Sequence, residues 1–318
     1  MRNMNSITRR TAIALGAIAV AAAVLPMNGH AEEKVIRVLR SPVGQFQPLF
    51  YGVDQGIFAK HGLKLEVTIG GSPDQQIAQL QAGQTDIVMT GPASLATAVA
   101  NGLPVMATLN VQDQGEVPTT GLFVPKDSPI KTVQDLKGKS VGLFGVTSIQ
   151  AVGLLLALEK AGVSKDDVKI VNIPFDAQVE SAEKGNVDAI IPIGLFTAVA
   201  QAKGFRDIPE VYAETRGYPA VIWASSKAYL DANADTVKAF NDALIEAYDY
   251  GNKNPDVVRA VDLAQTKMPP DYIKNRYIAP FVYKLNREKY DKINADMVRF
   301  GFMPKAPTQA EYIWSGAP

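Results

Sequence analysis

Cysteine is absent from the sequence, and histidine nearly so: only His30 and His61 occur. Without cysteine there are no disulfides, no thiolate nucleophile and no cysteine-based metal site. With so few histidines, a zinc centre built on histidine and cysteine is excluded, and a Ser-His-acid triad would have to use His61. That residue sits in "GIFAKHGLKLEV", where a helix is expected to stop before Gly62, and it reads as a helix C-cap. No G-x-S-x-G elbow occurs. "LKGKSVGLFG" ends like a phosphate loop, but Val133 stands where that motif needs glycine, and an apolar strand follows instead of a helix. Surplus charge is absent too. The 32 basic residues balance the 32 acidic ones, so counterion release from nucleic acid has no basic surface to act through.

The N-terminus has its own pattern. Arg2, Arg9 and Arg10 precede an apolar run, Thr11 to Leu25, which ends in Pro26 and the small-residue stretch "NGHA". Its length falls short of the roughly 20 residues a membrane-spanning helix needs. The pattern predicts a secretory signal peptide, residues 1–31, cut after Ala31. Ala12 stands where twin-arginine signals usually carry a large apolar residue, which favours the Sec route. Removing the three arginines leaves 29 basic against 32 acidic residues, a net charge of −3. No cysteine follows the signal to accept a lipid. The expectation is a soluble periplasmic protein, monomeric, folding on its hydrophobic core alone.

Periodicity then predicts an α/β protein. "VIRVLR", "LKLEVTI", "DIVMTG" and "VMATLNVQ" read as strands, separated by the helices "LFYGVDQGIFAKHG", "DQQIAQLQAGQ" and "PASLATAVANG". A second block, from Gly121 to Thr215, repeats the plan with strands "SVGLFG", "VKIVNIP" and "DAIIPIG". From Ser225 the chain turns helical and polar, with apolar residues at helical spacing, and these helices are expected to pack back on the first block. Strand–helix alternation of this kind buries a sheet on both faces.

One device occurs in both blocks. "LQAGQTDIVMTGPAS" and "SAEKGNVDAIIPIGLF" each carry a glycine, two residues, an aspartate and an apolar burst: Gly83 with Asp86, and Gly185 with Asp188. A helix ends, a tight turn follows, and a buried strand delivers a polar loop. In open α/β sheets ligands bind at the carboxyl ends of strands, so two such loops predict a ligand held between two lobes.

The segments "GIFAKHGLKLEV", "GSPDQQIAQLQAGQTDIVMTGPAS", "DSPIKTVQDLKGKSVGL" and "LALEKAGVSKDDVKIVNIP" resemble the solute-binding proteins of ABC importers for sulfonates, taurine, nitrate and thiamine-pyrimidine precursors. The resemblance is dense from Val35 to about Gly204 and thinner beyond. It implies a type II bilobal periplasmic-binding-protein fold: two α/β lobes joined by a two-crossing hinge, near Thr119–Phe123 and Ala213–Trp223. Residues 32–120 would begin lobe 1, 121–215 would form lobe 2, and 216–318 would return to lobe 1. It further implies a cleft ligand and, as partners, a membrane permease with its ATPase. No cofactor, metal or catalysis is implied.

Carried over to this sequence, the ligand loops are Gln45–Pro48, Gly91–Ser94, Thr147–Ser148 and Gly194–Phe196. Expected ligand residues are Gln45, Phe46, Gln47, Gly91, Ser94, Thr147, Ser148, Gly194, Phe196, Arg216 and Tyr218. In the fourth loop this chain reads "PIGLFTA" where relatives often have a tryptophan-acid-proline run. Gly91–Ser94 and Thr147–Ser148 open helices, where free backbone amides suit an anion and where Ser94 and Ser148 also serve as ordinary N-caps. Phe46, Phe144, Phe196 and Tyr218 are candidate walls for an aromatic body, and Arg40 and Arg216 candidate charge partners. The expected ligand is a small organic anion, a sulfonate or carboxylate. The alternatives are a pyrimidine or thiamine precursor and, in another class, an enzyme similar to the fungal thiamine-pyrimidine synthase, which relies on a cysteine cluster and a catalytic histidine; this chain has no cysteine and, after the signal segment, one histidine.

Overall fold

The computed structural model describes residues 33–42, 44–274 and 276–318. The expected signal segment, 1–31, lies outside them. The described chain opens with β1 (Lys34–Arg40), α1 (Gln47–Asp54), α2 (Ile57–Lys60), β2 (Leu63–Ile69), α3 (Pro73–Gln81), β3 (Ile87–Thr90), α4 (Pro92–Ala100) and β4 (Val105–Asp113). It continues with β5 (Leu122–Val124), β6 (Ser140–Leu143), α5 (Ile149–Lys160), β7 (Lys169–Asn172), α6 (Phe175–Glu183), β8 (Ala189–Ile190), α7 (Leu195–Ala202), β9 (Arg206–Ile208) and α8 (Glu210–Ala213). β10 (Pro219–Ser226) leads to α9 (Lys227–Ala232), α10 (Ala234–Lys253), α11 (Pro255–Gln265), α12 (Pro270–Lys274), α13 (Arg287–Arg299) and α14 (Gln309–Tyr312).

The strands form two sheets of one design. The first runs β2-β1-β3-β10-β4 and the second β7-β6-β8-β5-β9. In each, three strands pair in parallel and the fourth position is filled by an antiparallel strand that has just crossed from the other lobe: β10 in the first sheet, β5 in the second. The chain therefore crosses twice between two lobes. Parallel strands need helical crossovers, which cover both sheet faces and make the strand interiors continuously apolar. Ile87, Val88 and Met89 of β3, and Val141 and Leu143 of β6, are buried accordingly.

The repeated glycine–aspartate turn proves to be a strand lock. Arg37 donates its backbone N–H to Asp86 Oδ2 at 2.8 Å, and Asp86 returns its own N–H to the Arg37 carbonyl at 2.9 Å. Ser140 and Asp188 repeat the exchange at 2.8 and 3.0 Å. Gly83 and Gly185 supply the left-handed turn before each aspartate, at φ 67° and 72°, a conformation that favours glycine. Both aspartates thus pin the entry of a central strand to its parallel neighbour. They lie at the opposite end of the strand from the expected ligand loops.

Two local expectations change. The single helix expected over "LFYGVDQGIFAKHG" breaks into α1 and α2, because Gly56 adopts φ 66°. The C-terminal helices also do more than cover lobe 1. α10 and α11 pack on α1, but Ile293 and Met297 of α13 share a buried cluster with Ala93 and Ala96 of α4 and Ile149 and Val152 of α5. Arg299 of α13 adds an ion pair to Glu159 of α5 at 2.6 Å. α13 is therefore a strut against both lobes, behind the crossings.

Candidate functional site

The parallel strands of both sheets point their carboxyl ends at one cleft. Its walls come from the loops after β1 (Ser41, Gly44, Gln45), after β3 (Thr90, Gly91, Ser94) and after β6 (Phe144, Ser148, Gln150), with Gln112 and Gln114 on the floor and Gly194 opposite. The space measures about 880 Å³ with its open mouth included. No charged side chain lines it among the described residues. Recognition there rests on hydroxyls, amides and backbone groups.

Two helices aim their N-termini into the cleft, one from each lobe. α4 begins at Pro92 after the extended Gly91, and no side chain caps its first turn. α5 begins after Ser148, whose Oγ accepts from Ala151 N at 3.4 Å, a long contact for a cap. The free amides of a helix's first turn and its dipole favour an acceptor or an anion. Ser94 and Ser148 are buried yet line the cleft.

A cation lies under the cleft wall. Arg40, 1% exposed, stacks its guanidinium on Phe46 at 3.9 Å and donates to the Ser41 carbonyl at 3.0 Å. No carboxylate pairs with it among the described residues. Burial lowers its pKa to about 10, which leaves it protonated at neutral pH. Its field reaches the cleft through Ser41 in a low-dielectric setting.

The second lobe supplies an aromatic wall. Phe144 and Phe175 meet edge to face at 4.8 Å between centroids, and both line the cleft. Phe196 stacks behind Phe175 at 6.2 Å.

Of the expected ligand residues, Gln45, Gly91, Ser94, Ser148 and Gly194 line the cleft. The other six are placed elsewhere. Phe46 is fully buried beneath Arg40. Gln47 points into the core, where its Nε2 donates to Asp262 at 2.6 Å and to the Gly44 carbonyl at 3.0 Å, holding the cleft loop from behind. Thr147 is half-buried beside Ser148 without lining the space, and Phe196 stands in the second layer. Arg216 faces solvent and pairs with Glu116 at 3.1 Å. Tyr218 is buried, its hydroxyl donating to Asp296 at 3.2 Å. His61 follows α2 as its C-cap and pairs with Glu246 at 3.3 Å, away from the cleft. Sequence reasoning missed Ser41, Thr90, Gln112, Gln114, Gln150 and Phe175. The signal for two of them was present: in "VMATLNVQDQ" the polar residues Asn110, Gln112 and Gln114 recur at strand period on one side of β4.

This geometry has known counterparts. The NMT1/THI5 like family model matches residues 44–258. The chain belongs to that family. A putative thiamine biosynthesis protein of Haemophilus influenzae is 25% identical over 305 residues, covering 91% of this chain and 94% of its own. A formylaminopyrimidine-binding protein of Halalkalibacterium halodurans is 22% identical over 213 residues, covering 65% and 63%. A 4-amino-5-hydroxymethyl-2-methylpyrimidine phosphate synthase of Aspergillus parasiticus is 24% identical over 217 residues, covering 64% and 62%. Among solved structures, the alkanesulfonate-binding protein of Xanthomonas axonopodis pv. citri, bound to MOPS, superposes with a TM-score of 0.73 at 18% identity, covering 89% and 99%. The fold of this family member is thus the two-lobed one of periplasmic binding proteins.

Proposed function

We propose that the chain is the periplasmic solute-binding component of an ABC importer and captures a small organic anion, a sulfonate or carboxylate with a planar body. The observation that carries this is the convergence of two helix N-termini, one per lobe, on a single uncharged cleft with an unpaired cation beneath its wall. The acidic group sits at the amides of α4 and α5, where Ser94 and Ser148 add hydroxyl donors. The planar body lies against Phe144 and Phe175. Closure of the lobes around the ligand presents both to a membrane permease with its ATPase. No cysteine exists and the one histidine after the signal segment lies outside the cleft, so binding without turnover is the reading that fits these residues.

A second reading is favoured by the uncharged lining itself and by the pyrimidine-linked relatives: a neutral heterocycle held by amides and hydroxyls. Titration calorimetry separates the two. Benzenesulfonate is expected to bind and to remain chemically unchanged, and Ser148→Ala to weaken it on the order of tenfold, the value of one hydrogen bond to a charged group. Binding of a neutral aminopyrimidine with no response to benzenesulfonate would select the heterocycle. Conversion of either compound would overturn the binding-only reading.

A further inference from the structure

Gln114 holds an unusual position. It follows β4, where the chain leaves lobe 1 for lobe 2. Its backbone N–H donates to the Tyr218 carbonyl at 2.8 Å, and its carbonyl accepts from Gly217 N at 2.6 Å. Gly217 and Tyr218 belong to the return crossing. Gln114 therefore clasps the outgoing and returning strands together at the hinge. Its side chain lines the ligand cleft, and the residue is 2% exposed.

That side chain is incompletely used. The Gln114 Oε1 is buried and has no hydrogen-bond partner. Thr90, 2% exposed and on the same cleft, has an equally unpartnered Oγ1. Among the described residues these are the two cleft-lining side chains with an orphaned buried polar atom. A buried polar atom without a partner is destabilising, and native proteins keep few of them. An amide oxygen can only accept. What satisfies it must bring an N–H or O–H.

We infer that Gln114 reads a hydrogen-bond donor on the ligand, with Thr90, across β10 on the same cleft, offering a second orphaned oxygen, so that the cleft selects amino- or hydroxyl-bearing ligands over bare ones and registers that donor on the hinge clasp itself. The inference rests on the ligand-binding reading of the cleft and adds a second recognition element, distinct from the acceptor site at the helix N-termini. The ligand class becomes bifunctional: an acidic or acceptor group at one end, a donor at the other.

The test pairs two probes with two measurements. Calorimetry compares benzenesulfonate with 4-aminobenzenesulfonate on the wild type, Gln114→Met and Thr90→Val. The wild type is expected to favour the amino compound by about five- to tenfold, the scale of one neutral hydrogen bond. Gln114→Met is expected to erase that preference. Thermal melting without ligand is the second measurement. Near-isosteric removal of an orphaned polar atom leaves Tm unchanged or raises it, whereas loss of a structural hydrogen bond lowers it. A preference that survives in Gln114→Met, or ligand-free melting clearly below wild type in both variants, overturns the inference. If neither sulfonate binds the wild type, the anion reading of the cleft falls, and the melting comparison still decides the role of the orphaned atoms.

Discussion

Gln45, Phe46 and Gln47 are adjacent in sequence and have three different fates: cleft, stacking partner of a buried arginine, and core anchor. Loop chemistry marks such a stretch as a ligand loop. Which side chain turns inward depends on groups outside the stretch, here the upstream Arg40 for Phe46 and the distant Asp262 for Gln47. That is why the candidate loops were legible and the contacting residues only in part. Asp113, flanked by Gln112 and Gln114, makes the residue scale testable. Burial raises its pKa above the ordinary carboxylate value, and the hydrogen bond from Asn110 at 2.8 Å opposes the shift only in part. A carboxyl with a raised folded pKa binds its proton more tightly in the native state. Its contribution to stability is greatest below the unfolded pKa and is lost as pH rises through the folded one. Asp113→Asn removes that loss. Its Tm is expected to match wild type near pH 4 and to exceed it near pH 7.5. An advantage that is largest at pH 4 would reverse the sign of this account.

Elements were the most legible scale. Strand and helix order followed from periodicity, because a sheet covered on both faces imposes continuous apolar strands and amphipathic helices. The glycine–aspartate repeat was legible as a repeat, but its purpose was not. Hydrogen bonds between Asp86 and β1, and between Asp188 and β6, join residues 49 and 48 positions apart, beyond any local pattern. Asp86 also receives the Arg37 guanidinium, with its own side chain only 8% exposed. Asp86→Ala therefore removes hydrogen bonds to a largely buried charge, a loss of about 2–3 kcal/mol. At roughly 2–4 °C per kcal/mol for a chain of this size, Tm is expected to fall by about 5–10 °C. Ligand affinity is expected to stay the same, since the lock is at the far end of the strand. A drop in affinity with unchanged melting would make Asp86 part of the site instead.

At the scale of the whole molecule, two sheets of one design, two crossings and a C-terminal strut place a single cleft where both lobes deliver helix N-termini. The duplication was visible in the sequence. The strut was not, because the face of α13 that carries Ile293 and Met297 reads as an ordinary amphipathic helix until its two partners, α4 and α5, are known. A cleft built from both lobes is useful only if one ligand bridges them. At a hundred times its dissociation constant, such a ligand stabilises the folded chain by about 2.7 kcal/mol. The most direct measurement is mass spectrometry of the small molecules released from protein purified from its native host without refolding, with the same compound then titrated back by calorimetry. The account predicts one organic molecule in near-equal amount to protein, bearing an acidic or acceptor group and an N–H or O–H, which rebinds and is recovered unchanged. An empty cleft that binds nothing from that host's small-molecule extract, or a molecule recovered chemically altered, would contradict it.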